Sequence, residues 1–412
     1  TIKGQGKDKG LFFPEDISKF SNEFLQNLPN LSNEEIAFQV MKDFAGDEIP
    51  EAELRKIVAE TIAFEIPLKK VTENISVLEL FHGPTLAFKD VGARFMSRCL
   101  GYFLKNETRK VTVLVATSGD TGGAVANGFY DVEGIEVVIL YPKNRVSPVQ
   151  EKQLTALGKN IHALEVNGSF DDCQALVKQA FSDESLNEKL LLTSANSINV
   201  ARWLPQQIYY VLALKQWLKN HSENPVICVP SGNFGNICAG ILAHHRGLPV
   251  EHFIAACNVN DVVPEYLRTE ILQPKETVAT ISNAMDVGDP SNFVRILELF
   301  DKEFNQVKNK LSGYTIDDEE TLKTIERVEK DYGYVLDPHG AVAFVALEKY
   351  LTENDGKGFF LETAHPVKFP DSVEQATGKS VEIPKSLEEL MKQEKFTTEI
   401  NPQYEELKGF LL

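Results

Sequence analysis

Between Val77 and Leu361 the chain alternates short apolar, β-branched runs with longer stretches of helical periodicity. The apolar runs fall at Val77–Phe81, Val111–Ala116, Glu136–Tyr141, Ile161–Val166, Leu190–Thr193, Val226–Val229, Phe253–Ala256 and Gly358–Leu361. Helical patterns lie between them, including Val91–Phe103, Gln150–Leu157, Asp171–Phe181 and Ala201–Leu218. A strand with one face in water alternates apolar and polar residues, and these do not. They predict parallel sheets covered by helices on both faces. About 300 residues of this pattern exceed one doubly wound sheet. The expectation is an α/β fold of two doubly wound, mostly parallel sheet lobes with a cleft between them.

Ahead of this region, Glu34–Phe44 and Glu53–Phe64 carry apolar residues at helical spacing, with GDEIP (46–50) as a break. The sequence therefore divides into a mainly helical region (1–75), a large α/β domain (76–105 and 200–370), a smaller α/β domain (106–199), and a charged, helical tail (371–412).

The formal net charge of −18 repels nucleic-acid backbones and anionic lipid, so neither partner is expected. No apolar run reaches the length of a membrane-spanning helix. The opening TIKGQGKDKG lacks the apolar centre of a secretory signal. Cys99, Cys173, Cys228, Cys238 and Cys257 show neither metal-ligand nor disulfide spacing and read as small buried hydrophobes in a reducing compartment. A cytoplasmic setting and no metal follow as expectations. The N-x-S/T triplets at Asn30, Asn74, Asn106 and Asn167 are read as chance.

In open α/β sheets ligands bind beyond the carboxyl ends of the strands, and four such loops carry unusual chemistry. ATSGDTGGA (116–124) packs Thr117, Ser118, Asp120 and Thr121 among three glycines, more capping residues than one helix start needs. PSGNFGN (230–236) offers glycines and amides to a phosphate at a helix N-terminus, but it has neither the dinucleotide nor the Walker glycine spacing. A cofactor with a single terminal phosphate suits it better. ETAHP (362–366) puts Thr363 at a strand end, and in SANSINVARW (194–203) Ser197, Asn199 and Arg202 read as a second anion site. Lys89 stands where a strand-like run gives way to a helix, between Phe88 and Asp90. Alone it would be a solvated charge. Beside a single-phosphate site its amine is a candidate to form an imine with an aldehyde, and pyridoxal 5′-phosphate (PLP) is the aldehyde that enzymes hold this way.

These residues resemble one family over nearly the whole chain: threonine synthase, in its shorter bacterial and fungal branch. The resemblance runs through GKDKGLFFPEDI, GDEIP, ELFHGPTLAFKD, ATSGDTG, YPKNRVSPVQEKQ, SANSIN, VPSGNFGN, NVNDVVP, SNAMDVGDPSN and TAHPVKFPDSV. It implies a fold type II PLP enzyme, tryptophan-synthase-β-like, with the cofactor in the cleft and Lys89 as its covalent partner. Ser231, Gly232, Asn233, Phe234, Gly235 and Asn236 would hold the cofactor phosphate, and Thr363 would meet the pyridine nitrogen. Asp120 stands where related enzymes of this fold carry an Asn near the ring hydroxyl, and an acid there needs a shared proton or a displaced side chain.

The implied reaction is conversion of O-phospho-L-homoserine and water into L-threonine and phosphate, the last step of threonine biosynthesis, by a monomer. Ser118 and Thr121 are assigned to the substrate carboxylate. Ser197, Asn199 and Arg202 are assigned to its phosphate, with Lys143, Arg145 and Ser147 in reserve. A threonine or serine dehydratase-like lyase shares the lysine and a glycine loop but needs no second anion site. A catalytically silent binding paralogue would have no use for Lys89, and a nucleotide-binding Rossmann protein lacks its glycine spacing.

Overall fold

Residues 1–6, 10–105 and 110–412 are described in the computed structural model of the chain. Lys7, Asp8 and Lys9 of the GKDKGLFFPEDI stretch, Asn106 of the second-last N-x-S/T triplet, and position 106 of the expected 105–106 boundary lie outside the described residues. Among the described residues eleven strands are formed: β1 (Leu68–Lys70), β2 (Ile75–Glu79), β3 (Val111–Ala116), β4 (Ile135–Pro142), β5 (Ile161–Val166), β6 (Leu191–Ser194), β7 (Val226–Pro230), β8 (His252–Cys257), β9 (Leu311–Thr315), β10 (Gly358–Glu362) and β11 (Thr398–Ile400). The described residues fall into two compact units. The first holds Thr1–Phe12, Lys89–Arg202 and Glu382–Leu412, the second Phe13–Phe88 and Trp203–Val381.

In the first unit the strand order is β11-β5-β4-β3-β6, and every neighbouring pair is parallel. β3 lies near the middle and is buried at all six positions, which is why its sequence is a continuous apolar run. Leu114, Val138, Leu164, Leu176, Ile400 and Leu407 meet in one core. Two helices on this sheet start at capping boxes, Ser147 with Gln150 and Ser169 with Asp172, in which side chain and backbone satisfy each other's amides.

In the second unit the order is β1-β2-β10-β7-β8-β9, with only the edge strand β1 antiparallel. Its core gathers Val77, Cys228, Ile254, Phe344 and Phe360. The N-terminal helices Asn33–Ala45 and Glu51–Thr61 belong to this unit. The first of them is tied down by the fully buried Arg246. Its guanidinium donates to the Ser18 carbonyl (3.0 Å), the Val40 carbonyl (2.6 Å) and Asp43 (2.7 Å), and it stacks over Phe20.

The connectivity marks where ligands bind. From β3 the chain moves outward to β4 and β5, then returns to place β6 on the other side of β3. From β7 it moves outward to β8 and β9, then returns to place β10 on the other side of β7. Such reversals leave a crevice at the carboxyl ends of the two diverging strands. In the first unit the crevice is flanked by the loops after β3 and β6, and in the second by the loops after β7 and β10. These are the four loops that stood out in the sequence.

Several boundaries differ from expectation. β2 spans Ile75–Glu79 rather than Val77–Phe81, and the helix expected over Ala201–Leu218 is interrupted at Leu204–Gln206, where Pro205 has no amide to continue it. The tail contains helices Pro370–Thr377, Lys385–Lys392 and Tyr404–Leu411, but also β11, which pairs with β5. The units also divide elsewhere than at 75, 105, 200 and 370. The helix Lys89–Phe103 groups with the first unit, because Gly128 lets its helix approach Ala93 and Gly92 lies against the Arg202 carbonyl, leaving no room for a Cβ. Among the described residues no helix is long and apolar enough to cross a membrane.

Candidate active site

In the first unit, Lys89 opens the helix Lys89–Phe103, with its side chain 16% exposed and Nζ 4.0 Å from Asp120 Oδ2. Asp120 opens the helix Asp120–Phe129 and is buried. Its Oδ1 accepts a 2.9 Å hydrogen bond from the carboxamide of Gln150, whose Oε1 accepts the Ser147 amide at 3.1 Å. Gly119 makes this possible: its φ is +133°, and a Cβ would sit 2.5 Å from the Gln150 side chain. Thr117 is a loop-builder, since its hydroxyl accepts the amides of Gly119 (3.0 Å) and Gly122 (2.8 Å). Ser118 and Thr121 stand half-buried in the same loop.

Across the β3/β6 reversal, Ser194 to Arg202 form the other wall. Arg202 is buried, gives Nη1 to the Ala195 carbonyl, and keeps an Nε with no partner. Burial pulls its pKa down to about 10 against the opposing charge of Asp90, so it remains a cation at neutral pH. A buried cation with an unpartnered N–H is poised for an anion. Ser197 is half-buried on the same loop. Asn199 is different. Its Nδ2 donates to the Ser194 carbonyl (3.1 Å) and the Thr1 carbonyl (2.8 Å), and its Oδ1 accepts the Ala201 amide (3.1 Å). It shapes the loop, with its donors already engaged. Ser147 is likewise occupied as a helix cap, and Lys143 pairs with Glu399 at 2.7 Å.

In the second unit the loop after β7 is built around close approach. A Cβ on Gly232 would lie 2.6 Å from Met285 Cα. Ser231 is anchored through its hydroxyl to the Val229 carbonyl (2.8 Å), and Asn233 Oδ1 accepts both the amide (2.8 Å) and the hydroxyl (2.7 Å) of Ser291. Phe234 adopts a left-handed conformation (φ +61°, ψ +9°), the turn that starts the helix Gly235–His245. The first amides of a helix have no acceptor within it. Asn236 adds to them: Tyr209 (2.6 Å) and Tyr210 (2.7 Å) donate to its Oδ1, which leaves its buried Nδ2 without a partner. An orphaned amide nitrogen beside open helix amides fits a phosphate group.

Thr363 follows β10 and is buried, with its carbonyl accepting the Phe88 amide at 2.9 Å. Ala87 bridges Ala364, the His365 amide donates to Leu86 (3.0 Å), and the buried Lys368 donates to the Thr85 carbonyl (2.8 Å). The segment before Lys89 is thus zipped to the Thr363 strand end, and Lys89 is the next residue along the chain. Within this second unit a single-phosphate cradle and a strand-end hydroxyl fit the phosphate and ring of PLP, and Lys89 of the first unit carries a candidate amine. Sequence reasoning missed Gln150, Tyr209, Tyr210 and Ser291. The S-P-V-Q capping box and the SNAMDVGDPSN stretch were the signals available for two of them.

Residues 62–358 match the family of pyridoxal-phosphate dependent enzymes, residues 1–62 the threonine synthase N terminus, and residues 340–411 the threonine synthase C-terminal region. The threonine synthase of Escherichia coli (strain K12) is 47% identical over 390 residues, 94% of this chain and 90% of that protein. Among solved structures, threonine synthase from E. coli has a TM-score of 0.92 at 44% identity, covering 100% of this chain and 95% of that one. PLP-bound threonine synthase from Brucella melitensis has a TM-score of 0.93 at 35% identity, covering 100% and 94%.

Proposed function

The chain belongs to the threonine synthase family, and from that premise we propose how its own residues divide the work. It is a PLP-dependent lyase with threonine synthase activity. The finer reading is that it converts O-phospho-L-homoserine and water into L-threonine and phosphate. Bound PLP supplies an electron sink for charge developing at the substrate Cα.

Lys89 would hold the cofactor through its amine, and that amine is the base that takes the proton from the substrate Cα and returns protons as the reaction closes. Asp120, itself held by Gln150, orients the Lys89 amine from 4.0 Å. The amides at Gly235 and Asn236, with the orphaned Asn236 Nδ2, would hold the cofactor phosphate, while Ser231, Gly232, Asn233 and Phe234 shape that loop. Thr363 would be the residue to meet the pyridine nitrogen. A hydroxyl there does not keep the ring protonated as a carboxylate would, which suits elimination of a leaving group. Ser118 and Thr121 donate to the substrate carboxylate. Arg202 and Ser197 grip the substrate phosphate, with Asn199 holding their loop in shape.

The observation that supports this reading best is the hydrogen bond from Phe88 to Thr363, which ties the residue next to Lys89 to the strand end assigned to the ring. The dehydratase-like reading is not favoured, given full-length likeness to threonine synthases. The reading takes the enzyme to be a cytoplasmic monomer, as the family resemblance implies, and sedimentation of the purified chain tests its size. The deciding experiment supplies PLP and O-phospho-L-homoserine and measures threonine and phosphate. Equimolar release is expected, whereas 2-oxobutyrate as the main product from threonine, with no threonine from phosphohomoserine, would overturn it.

A further inference from the structure

Glu79 and Glu362 stand in register at the carboxyl ends of the adjacent parallel strands β2 and β10, and both are buried. Residues paired this way point to the same side of a sheet, so two carboxylates share one interior region. Asp337, the N-cap of the helix Pro338–Glu353, adds a third. The three are served unequally. Glu79 Oε2 meets Lys69 (2.8 Å) and His82 (2.7 Å), and its Oε1 accepts the Tyr334 hydroxyl (3.0 Å). Glu362 Oε1 accepts the Asp337 amide (2.7 Å), while its Oε2 has no partner. Asp337 Oδ1 accepts the amide (2.7 Å) and Nδ1 (2.6 Å) of His339, and its Oδ2 also has none.

Two unpartnered buried carboxylate oxygens on neighbouring acids are strongly unfavourable if both acids are ionised. A protonated carboxyl is a donor, and one proton between Glu362 Oε2 and Asp337 Oδ2 satisfies both atoms at once. Glu362 Oε2 is pressed against the start of the helix: a Cβ on Gly340 would fall 1.6 Å from it. His339 passes the constraint onward. Because Nδ1–H goes to Asp337, Nε2 is left as an acceptor and takes the Ala284 amide at 3.1 Å. Ala284 and Met285 are the backbone against which Gly232 packs.

We propose that a single proton shared by Glu362 and Asp337 closes a relay, Glu362–Asp337–His339–Ala284, that fixes the Gly232 loop and the Thr363 strand end in the geometry PLP requires. The proposal rests on the assignment of Gly232 to Asn236 as the phosphate loop. Glu362, Asp337 and His339 are positioning residues. Burial first, and then the charge of Asp337, push the Glu362 pKa well up. The groups facing this pair are Glu79 from β2, Tyr334 ahead of the helix, His339 within it, and His365 with Lys368 after β10. Lys69 and His82 lie beyond, on Glu79.

Holding the shared proton puts the folded-state pKa of Glu362 well above the usual glutamate value of 4.5, which the unfolded chain keeps. Its contribution is complete below that pH and is lost as the pH rises through the folded value. Three measurements test this: PLP affinity across pH, thermal unfolding of the apoprotein across pH, and the infrared carbonyl band of the apoprotein. Wild type is expected to lose PLP affinity in alkali by up to about tenfold per pH unit. Glu362→Gln keeps a donor toward Asp337 Oδ2 and an acceptor for the Asp337 amide. It should match wild type in mild acid, lose the alkaline fall, and lack one protonated-carboxyl band.

Asp337→Asn keeps the helix cap but frees Glu362 to ionise, so the alkaline fall should move to lower pH. Weaker PLP binding by Glu362→Gln at every pH, or no protonated-carboxyl band in the wild type that this variant removes, would overturn the proposal. If the loop assignment is at fault instead, Asn236→Ala leaves PLP affinity unchanged while the infrared difference persists.

Discussion

Gly232→Ala tests the phosphate loop with one methyl group. The added Cβ would lie 2.6 Å from Met285 Cα and 3.1 Å from the Ala284 carbonyl oxygen. Carbon atoms in contact prefer about 3.5–4.0 Å, so one wall must retreat by about 1 Å. Neither wall is a side chain that can rotate away. The Ala284 amide is bound to His339 (3.1 Å) and the Met285 amide to the Ser282 carbonyl (2.9 Å). Overpacking of this kind costs about 1–3 kcal/mol. The free protein can relieve much of it by letting the loop move, but the loaded protein cannot, so the cost appears mainly in PLP affinity. That corresponds to roughly a 5-fold to 150-fold rise in Kd. Equilibrium dialysis of PLP against the variant reads it directly, with thermal unfolding of the apoprotein as the control. Binding within about twofold of wild type, with the loop sequence otherwise intact, would refute the argument that this glycine is a close-approach site at the cofactor.

Gly119→Ala combines a φ of +133° with a Cβ placed 2.5 Å from Gln150. It should cost about 1–3 kcal/mol and release Asp120, and activity should fall further than the unfolding temperature. Arg202→Ala is expected to raise KM for O-phospho-L-homoserine at least about tenfold, consistent with loss of a charge-assisted contact, with PLP affinity unchanged. An unaltered KM would remove Arg202 from the substrate site. Arg246→Met strips the Ser18 and Val40 carbonyls and Asp43 of their donor. A loss of about 3–5 kcal/mol is expected by chemical denaturation, with residues 13–45 becoming the first site of limited proteolysis.

The central strands were legible because burial on both faces leaves a signature that single residues cannot blur. β1, β9 and β11 were not. LKK and TEI carry mostly exposed polar residues, as edge strands do, and such runs read as loops. Pro205 was visible, but the helical periodicity around it was read through it. The strand-end loops were legible as polar, glycine-rich interruptions, whereas their internal division of labour was not. Asn199 and Thr117 looked like ligand groups, yet each bonds its own loop backbone, a use for which Asn and Thr are equally suited. The left-handed Phe234 carries no sequence mark, because the fold imposes that conformation on a residue that does not favour it. Nor could the change of unit at Lys89 be read. It follows from the close packing of Gly92 and Gly128, which involves residues more than twenty positions away.

The most direct test of the account asks which lysine carries the cofactor. Borohydride treatment of the PLP-loaded protein, followed by peptide mass analysis, is predicted to leave the phosphopyridoxyl group on the peptide containing Lys89 and on no other. Lys89→Ala should then show neither the label nor turnover. A label on a different lysine, or turnover surviving in Lys89→Ala, would contradict the account.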